Sequence, residues 1–223
     1  THPIAAFDAD NTLWNVDVGE MYFNHLIQNK LVDLPPDPWG HYMNMRSGPD
    51  PRKGYLWLAQ IMNQVPLTQA QQWSQDIVKQ NPIPTFKNMH KIIDHLQNKG
   101  VTTYIVTASV KWAVEGAASL YNIPPEQVIG ITTKVVDNKI TDQQDGPITW
   151  KQGKVEGLLE KTEGQAPFFA AGNSSGDIYL LEAATRHRLA VRTVEKDHMI
   201  FDSEQELFER AQQHNWWTHD HRE

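Results

Sequence analysis

Short apolar segments, each followed directly by a polar loop, recur along the chain. They are residues 4–7, 101–106, 166–171 and 188–192. Their length is typical of buried strands, and residues 89–99 between them have the apolar spacing of an amphipathic helix. Residues 135–140 predict a small β-hairpin. Strands that alternate with helices predict an α/β fold, with a doubly wound, mostly parallel, Rossmann-like sheet.

The first two predicted strands are much farther apart in the sequence than the fold requires. The residues that follow them, Asp8 and Thr107, are about 100 positions apart, whereas a strand, helix and strand need only about 30 residues. The surplus has helical patterns near residues 18–30, 55–63 and 68–79, joined by Pro-rich loops at residues 34–40 and 47–51. We therefore expect a core made of residues 1–14 and 85–223, with an α-helical cap, residues 15–84, inserted into it.

Composition and charge exclude several classes of function. Hydrophobic residues make up 39% and charged residues 21% of the chain, which is typical of a globular protein. The 20 Lys and Arg residues against 27 Asp and Glu residues give a formal net charge of −7, and no basic run occurs, so we expect no nucleic-acid partner. No apolar run approaches the roughly 20 residues that span a bilayer, so we expect no membrane insertion.

The sequence gives little information about the compartment. The absence of cysteine excludes disulfides and thiolate catalysis, but cytoplasmic and exported proteins can both lack it. The chain begins at Thr1, just before the first predicted strand. This start slightly favours an exported or periplasmic mature chain over a cytoplasmic one.

Polar side chains follow three of the predicted strands, at the edge where parallel sheets bind ligands. They are Asp8 and Asp10 after the first strand, Thr107 and Ser109 after the second, and Asn173 and Asp177 after the third. Asp8 and Asp10 are two residues apart on an extended segment, so both carboxylates can face one crevice, where their repulsion calls for a cation. A hard divalent ion such as Mg²⁺ fits this need. We expect Asp8, Asp10, Asn173 and Asp177 to hold it.

A lysine near the start of a predicted helix would add a fixed positive charge at the same edge. Lys154 is the first candidate, and Lys151, one turn earlier, is the alternative. Together with the metal, this charge would attract an anionic group of a small molecule.

The order and spacing of these motifs resemble the haloacid dehalogenase superfamily of phosphohydrolases. The first motif of that superfamily, an apolar strand and then Asp-x-Asp-x-Thr-Leu, is matched by Phe-Asp-Ala-Asp-Asn-Thr-Leu at residues 7–13. The second motif is matched by residues 104–109, the third by residues 153–156 and the fourth by residues 172–177. In the fourth motif Asn173 replaces the more common Asp.

The resemblance implies a two-step phosphoryl transfer. Asp8 would attack phosphorus to form an aspartyl-phosphate, while Asp10 would protonate the leaving oxygen and then activate water. Thr107 and Lys154 would hold the phosphoryl oxygens. Mg²⁺ would be bound by the Asp8 side chain, the Asp10 main-chain carbonyl and the fourth motif. Because Asn173 brings one negative charge fewer than Asp, we expect weaker metal binding, which Asn173→Asp would strengthen.

The inserted helices resemble the phosphoserine phosphatase-like branch, over residues 4–200. The aromatic residues of the insertion also resemble those of phosphorylcholine phosphatases, which recognise a quaternary ammonium group. Trp14 and Glu20 are therefore candidates for binding a cationic group of the substrate, and Arg46 for binding a carboxylate or phosphate. Ser109 is a further substrate-binding candidate. In the alternative interpretation, the aromatic residues form the core of the cap.

The sequence thus predicts a Mg²⁺-dependent phosphomonoesterase that hydrolyses a small organic phosphate beneath a helical cap. A phosphotransferase, which passes the phosphoryl group to an alcohol, shares every motif and is one alternative. A non-catalytic protein that binds a metabolite is the other. The identity of the substrate and the oligomeric state are not encoded in these motifs.

Overall fold

One seven-stranded sheet organises the computed structural model, which describes residues 2–222. The strands are β1 (Ile4–Phe7), β2 (Thr102–Val110), β3 (Val128–Val136), β4 (Lys139–Asp145), β5 (Phe169–Gly172), β6 (His187–Arg192) and β7 (Trp217–Asp220). Their order is β4-β3-β2-β1-β5-β6-β7, and every neighbouring pair is parallel except β3 and β4. The predicted α/β class, with a doubly wound, mostly parallel, Rossmann-like sheet, is confirmed.

Strand β1 lies at the centre of the sheet because both of its faces are apolar. Ala5 and Phe7 pack into one hydrophobic cluster, and Ile4 and Ala6 pack into another. A strand covered on both faces has a continuous apolar run instead of alternating polarity. Strands β2 to β4 lie on one side of β1, and β5 to β7 lie on the other. This reversal opens a crevice at the carboxyl end of β1, the usual place for a ligand in such sheets.

Helices flank the sheet. The helices are α1 (Val18–Gln28), α2 (Pro38–Arg46), α3 (Arg52–Gln60), α4 (Leu67–Gln80), α5 (Lys87–Asn98), α6 (Lys111–Ala118), α7 (Gln152–Lys161), α8 (Ile178–Ala183) and α9 (Phe201–Gln213). The first four of them follow β1 in the sequence and precede α5, the helix that leads into β2. Among the described helices, none is both long enough and apolar enough to cross a bilayer.

Helix α2 corrects the prediction that residues 34–40 form only a loop. Asp37 caps the helix by accepting a hydrogen bond from the Gly40 amide at 2.9 Å, and Pro38 stands at the first helical position. Proline is well tolerated there, because the amide that it lacks would have no partner within the helix. An Asp-Pro pair is therefore a signal for the start of a helix as well as for a turn.

The inserted helices share a hydrophobic cluster with the sheet side of the molecule. Tyr22 and Leu26 of α1 and Ile77 of α4 belong to the same cluster as Trp112 of α6 and Ile131 of β3. Burial of a large apolar side chain contributes roughly 1.5–3 kcal/mol. This shared burial holds α1 in a fixed place beside the carboxyl ends of β1 and β2.

The β3–β4 hairpin and the C-terminal segment form regular structure although their sequence patterns are weak. The predicted hairpin is present as β3 and β4, and its turn residues Asp137 and Asn138 both adopt left-handed backbone angles, with φ of 50° and 62°. Asn and Asp tolerate this conformation better than most residues, as a tight hairpin turn requires. Helix α9 and strand β7 complete the sheet edge beyond β6.

Candidate active site

A cavity of about 360 Å³ opens at the carboxyl ends of the central strands. This volume lies in the range of small-molecule sites. Its core wall includes Asp8, Asp10, Thr107, Ser109, Lys154, Asn173 and Asp177, and its other wall includes Glu20, Tyr42, Arg46 and Tyr55 from the inserted helices. The structure therefore brings together every predicted site residue except Trp14.

Asp8 is held by donors on both of its carboxylate oxygens. Its Oδ1 accepts from the Lys154 ammonium at 2.6 Å, and its Oδ2 accepts from the Thr12 hydroxyl at 2.9 Å. Burial, together with the charge of Asp177, raises the pKa of Asp8 to about 7, while Lys154 opposes this rise. A second cation beside Asp8 would keep the carboxylate ionised, which is the form that attacks an electrophile.

Asp10 accepts three hydrogen bonds that fix its side chain. Oδ1 accepts from the Trp14 indole at 2.9 Å and from the Val18 amide at 2.8 Å, and Oδ2 accepts from the Ser109 hydroxyl at 2.8 Å. Burial first, and then the charge of Asp17, raise the pKa of Asp10 to about 7. A carboxyl group that exchanges a proton near neutral pH is suited to general acid–base chemistry.

The structure corrects the prediction that Trp14 contacts a substrate. Trp14 is fully buried, belongs to the hydrophobic cluster around β1 and does not line the cavity. Its indole donates to Asp10 instead, so it positions that carboxyl group. The spacing of residues could not distinguish an aromatic ring in the core from one that faces a ligand.

The other aromatic residues divide between core packing and the cavity. The rings of Trp39 and Trp57 pack edge-on against Phe23, with centroid distances of 5.0 Å and 5.7 Å. Tyr42 and Tyr55 line the cavity. For Trp39 and Trp57, this packing matches the interpretation that the aromatic residues form the interior of the insertion.

Lys154 bridges two buried carboxylates. Its ammonium donates to Asp8 Oδ1 at 2.6 Å and to Asp177 Oδ1 at 2.5 Å, and Lys154 is 3% exposed. Burial lowers the pKa of Lys154, but the charges of Asp177 and Asp8 outweigh this effect and raise it above its usual value. Lys151, the alternative, is exposed, and its ammonium lies 4.6 Å from the centre of the Trp150 ring. Lys154 is thus the lysine that contacts Asp8.

Thr107 and Ser109, at the end of β2, are linked to each other. The Thr107 hydroxyl oxygen accepts from the Ser109 amide at 3.0 Å, which leaves its own hydrogen for a ligand in the cavity. The Ser109 hydroxyl donates to Asp10. Ser109 therefore orients the carboxyl group of Asp10.

The oxygen atoms at this edge suit a hard divalent cation. The Thr12 hydroxyl lies 2.9 Å from Asp8 Oδ2 and 3.3 Å from Asn173 Oδ1, so a carboxylate oxygen and an amide oxygen flank the same group. Both are ligand types that Mg²⁺ accepts. Within residues 2–222, no three His, Asp or Glu side chains form a metal cluster. A metal here would therefore depend on the Asn173 amide as well as on carboxylates.

Asp177, a predicted metal ligand, has its oxygens occupied by donors from the protein. Oδ1 accepts from Lys154, and Oδ2 accepts from the main-chain amides of Asn173 and Ser174, both at 3.1 Å. In this arrangement Asp177 fixes the loop after β5 and holds Lys154 against Asp8. The sequence motif alone did not separate this anchoring role from metal binding.

Glu20 and Arg46 place opposite charges on the wall formed by the inserted helices. The Arg46 guanidinium lies 3.8 Å from Glu20 Oε1, and its central carbon lies 6.0 Å from the centre of the Tyr55 ring. Burial raises the pKa of Glu20, and Arg46 opposes that rise. The wall can therefore meet both a cationic and an anionic group of a ligand.

Glu204 is a residue near the site that sequence reasoning missed. It is 2% exposed, and it accepts a hydrogen bond from the Asn173 side chain at 2.8 Å. It lies 31 residues away from Asn173, on α9, in a helix rich in exposed acidic residues. No local pattern separates it from its exposed neighbours.

Solved structures with the same fold include proteins of unknown and known activity. A protein of unknown function from Bordetella pertussis Tohama I has a TM-score of 0.76 and 18% identity, and the match covers 98% of each chain. A phosphoserine phosphohydrolase-like protein from Francisella tularensis subsp. tularensis SCHU S4 has a TM-score of 0.55 and 17% identity, covering 85% of this chain and 87% of that one. A phosphoserine phosphatase, as a phospho-aspartyl intermediate analogue, has a TM-score of 0.54 and 18% identity, covering 86% and 87%.

At 17–18% sequence identity, the similarity to these solved structures shows a shared fold. No curated protein matches the sequence. A family model, described as haloacid dehalogenase-like hydrolase, matches residues 5–182. This stretch contains Asp8, Asp10, Lys154 and Asp177 of the cavity wall, and it runs from β1 into α8. The chain therefore belongs to the haloacid dehalogenase-like hydrolase family.

Proposed function

We propose that the protein is a Mg²⁺-dependent phosphomonoesterase that acts on a small organic phosphate through an aspartyl-phosphate on Asp8. The observation that carries this proposal is the arrangement of Asp8 against Lys154, with the carboxyl group of Asp10 beside them. It provides a nucleophile, a fixed cation and a group that exchanges protons near neutral pH. The phosphoserine phosphatase with the same fold, captured as a phospho-aspartyl intermediate analogue, supports the same chemistry.

The first step forms the covalent intermediate. A carboxylate oxygen of Asp8 attacks phosphorus, and the bond from phosphorus to the ester oxygen breaks. Asp10 gives its proton to that oxygen, so the alcohol leaves neutral. Lys154 and the Thr107 hydroxyl donate hydrogen bonds to the phosphoryl oxygens, where negative charge is concentrated.

The second step releases phosphate. Asp10, now ionised, takes a proton from a water molecule, whose oxygen attacks phosphorus. The bond between phosphorus and Asp8 breaks, and the carboxylate of Asp8 is restored. Asp10 is protonated again and ready for the next substrate. Mg²⁺, held by Asp8, the Asp10 main-chain carbonyl and Asn173, would supply positive charge that offsets the repulsion between the carboxylate and the phosphate.

The charged residues of the inserted helices support the proposal that the leaving alcohol carries both an ammonium and a carboxylate group. Glu20 would bind the ammonium, and Arg46 would bind the carboxylate. A phosphoserine-like substrate has both groups. A quaternary ammonium needs open aromatic faces, but Trp14 and Tyr42 are buried and Arg46 lies over Tyr55. This geometry favours a phosphoserine-like substrate over a phosphorylcholine-like one.

We also propose that residues 15–84 act as the helical cap. The support is that Glu20, Tyr42, Arg46 and Tyr55 all reach the cavity from this segment. A wall over the site keeps bulk water away from the phosphoryl group during the first step, so that Asp8 is the nucleophile, and it strengthens the electrostatic interactions within the cavity. A phosphotransferase would differ only in admitting an alcohol in the second step.

Phosphate release from a panel of esters tests this proposal. The panel contains phosphoserine, phosphorylcholine, phosphoethanolamine, sugar phosphates and nucleotides, each with Mg²⁺ or with EDTA. We expect Mg²⁺-dependent release, fastest from phosphoserine-like esters, and a rise in KM for Arg46→Met on esters that carry a carboxylate. Arg46→Met should change KM for phosphoethanolamine much less, because that ester has no carboxylate. Transfer of the phosphoryl group to added glycerol would favour the phosphotransferase, and binding without turnover would favour the non-catalytic alternative.

A further inference from the structure

Asn173 and Glu204 form a buried pair behind the reaction centre. The Asn173 amide nitrogen donates to Glu204 Oε1 at 2.8 Å. Glu204 Oε2 accepts from the main-chain amides of Thr193 at 2.9 Å and Val194 at 3.0 Å. Glu204 lies on α9, beyond residues 5–182, where the family model matches.

The hydrogen bonds of Glu204 determine which way the Asn173 amide faces. Three N–H donors converge on Glu204, so both of its oxygens are acceptors. Only the NH₂ half of the amide can face an acceptor, and its oxygen is therefore turned to the opposite side. There, Asn173 Oδ1 lies 3.3 Å from the Thr12 hydroxyl, which itself donates to Asp8.

We infer that Glu204 is a positioning residue that aims the carbonyl oxygen of Asn173 at a divalent cation beside Asp8. Partners behind the metal ligands commonly orient those ligands and alter metal affinity about 10- to 100-fold. The inference rests on the proposed function in one respect, because it places a divalent cation at this edge of the sheet. Without Glu204, either half of the Asn173 amide could face the metal.

The same pair explains why an amide suits position 173 in this chain. With Asp at this position, two carboxylates would face each other at hydrogen-bond distance in a buried place. Such a pair is strongly unfavourable unless a proton or a cation lies between its members. The structure therefore revises the expectation that Asn173→Asp alone strengthens metal binding, because the change carries a repulsion from Glu204.

Three variants of the whole chain separate these effects. In Glu204→Gln, the Gln oxygen accepts from the Thr193 and Val194 amides, so its NH₂ group faces Asn173. The Asn173 amide then turns over and presents NH₂ to the metal. In Asn173→Asp, two carboxylates oppose each other. In the double variant, the NH₂ group of Gln at position 204 donates to Asp at position 173, whose second oxygen faces the metal.

Calorimetric titration with Mg²⁺ in the absence of substrate measures the effect directly. We expect Glu204→Gln to weaken Mg²⁺ binding by about 10-fold or more, Asn173→Asp not to strengthen it, and the double variant to bind at least as tightly as the wild type. Glu206→Gln, which removes an exposed charge from the same helix, is the matched control and should bind like the wild type. A purely structural role for Glu204 predicts no such rescue.

The result that overturns the inference is a folded Glu204→Gln variant that binds Mg²⁺ like the wild type, or a double variant that binds more weakly than the wild type. Where a single variant does not fold, the double variant decides alone, and its failure to fold also counts against the inference. Phosphate release by the wild type is scored separately. A wild type that binds Mg²⁺ but hydrolyses no ester contradicts the proposed function, and leaves the test of Glu204 intact.

Discussion

The ammonium group of Lys154 lies 2.6 Å from Oδ1 of Asp8, although 146 positions separate the two residues in the sequence. The same ammonium also donates to Asp177 at 2.5 Å. One buried ammonium thus donates to two buried carboxylates. When both carboxylates are ionised, the three side chains together have a net charge of −1. That excess favours a second cation at the site and disfavours removal of the lysine.

Loss of Lys154 should therefore destabilise the protein strongly. Lys154→Met leaves Asp8 and Asp177 buried without their cation, and we expect the free energy of unfolding to fall by about 3–5 kcal/mol. Denaturant unfolding in EDTA measures the loss. Lys151→Met, at an exposed position nearby, should change the free energy of unfolding by less than about 1 kcal/mol. Equal effects of the two substitutions would contradict the role given to Lys154.

Asp10 should matter most where the leaving group needs a proton. For Asp10→Asn, we expect kcat on an alkyl phosphate to fall by about 10²- to 10⁴-fold. With p-nitrophenyl phosphate, whose leaving group departs without a proton, the first step should persist while the second slows. Stopped-flow absorbance should then show a burst close to one equivalent of p-nitrophenolate. An equal loss on both substrates without a burst would count against Asp10 as the acid and base.

A close contact between the insertion and β2 should control Asp10 through Ser109. A Cβ atom at Gly19 of α1 would lie 2.7 Å from the Ser109 hydroxyl oxygen, closer than such atoms pack. Gly19→Ala should displace this hydroxyl from Asp10 and lower kcat about 10-fold, although alanine favours a helix. Adding Ser109→Ala removes the nearest atom and leaves contacts of 3.1 Å to the Cβ of residue 109 and 3.2 Å to Asp17 Oδ1, which small shifts can relieve. The double variant should therefore recover most of the activity of Ser109→Ala. A Gly19→Ala variant with unchanged kcat would refute this coupling.

His221 should make stability depend on pH. Burial and the charge of His219 lower the pKa of His221 to about 4, and its ring stacks on Phe86 at a centroid distance of 3.7 Å. Between about pH 6.5 and pH 4, the unfolded chain binds a proton that the folded chain does not bind. The stabilisation is therefore complete above pH 6.5 and is lost as the pH falls through this window, by roughly 1–3 kcal/mol once solvent screening of the partly exposed ring is included.

The matched variant for this pH effect is His221→Phe, which keeps a stacked ring without a titratable group. The Nε2 atom of His221 is buried and has no hydrogen-bond partner within residues 2–222, so phenylalanine costs little there. Denaturant unfolding at several pH values should show a flatter profile for the variant. An identical slope in both proteins would show that other groups cause the dependence.

Local patterns in the sequence predict the inner strands β1, β2, β5 and β6 and the polar residues that follow them, but not the parallel part of β3 or the edge strand β7. Apolar runs that end in carboxylates, as at Asp8, are local patterns, and parallel strands bring their carboxyl ends to one edge. The Pro-rich pattern of residues 34–40 predicts a loop, but Asp37 and Pro38 together also favour the start of a helix, and α2 begins there.

Local sequence patterns do not predict contacts between residues that are far apart in the chain. The burial of Trp14 depends on how α5 and the sheet pack around it, and the spacing of aromatic residues does not report that packing. The pairing of Asn173 with Glu204 joins a loop to a helix 31 positions later. Glu204 contacts the site only because it is buried against Asn173, and its burial depends on how α9 packs in the folded protein.

Phosphorylation of Asp8 is the most direct test of the proposed mechanism. The enzyme is mixed with the best ester and Mg²⁺, quenched in acid within one turnover and digested, and the peptides are analysed by mass spectrometry. We predict one phosphoryl group on the peptide that contains Asp8, present only with Mg²⁺ and absent from Asp8→Asn, which should also release no phosphate. Phosphate release that persists in Asp8→Asn would contradict the mechanism.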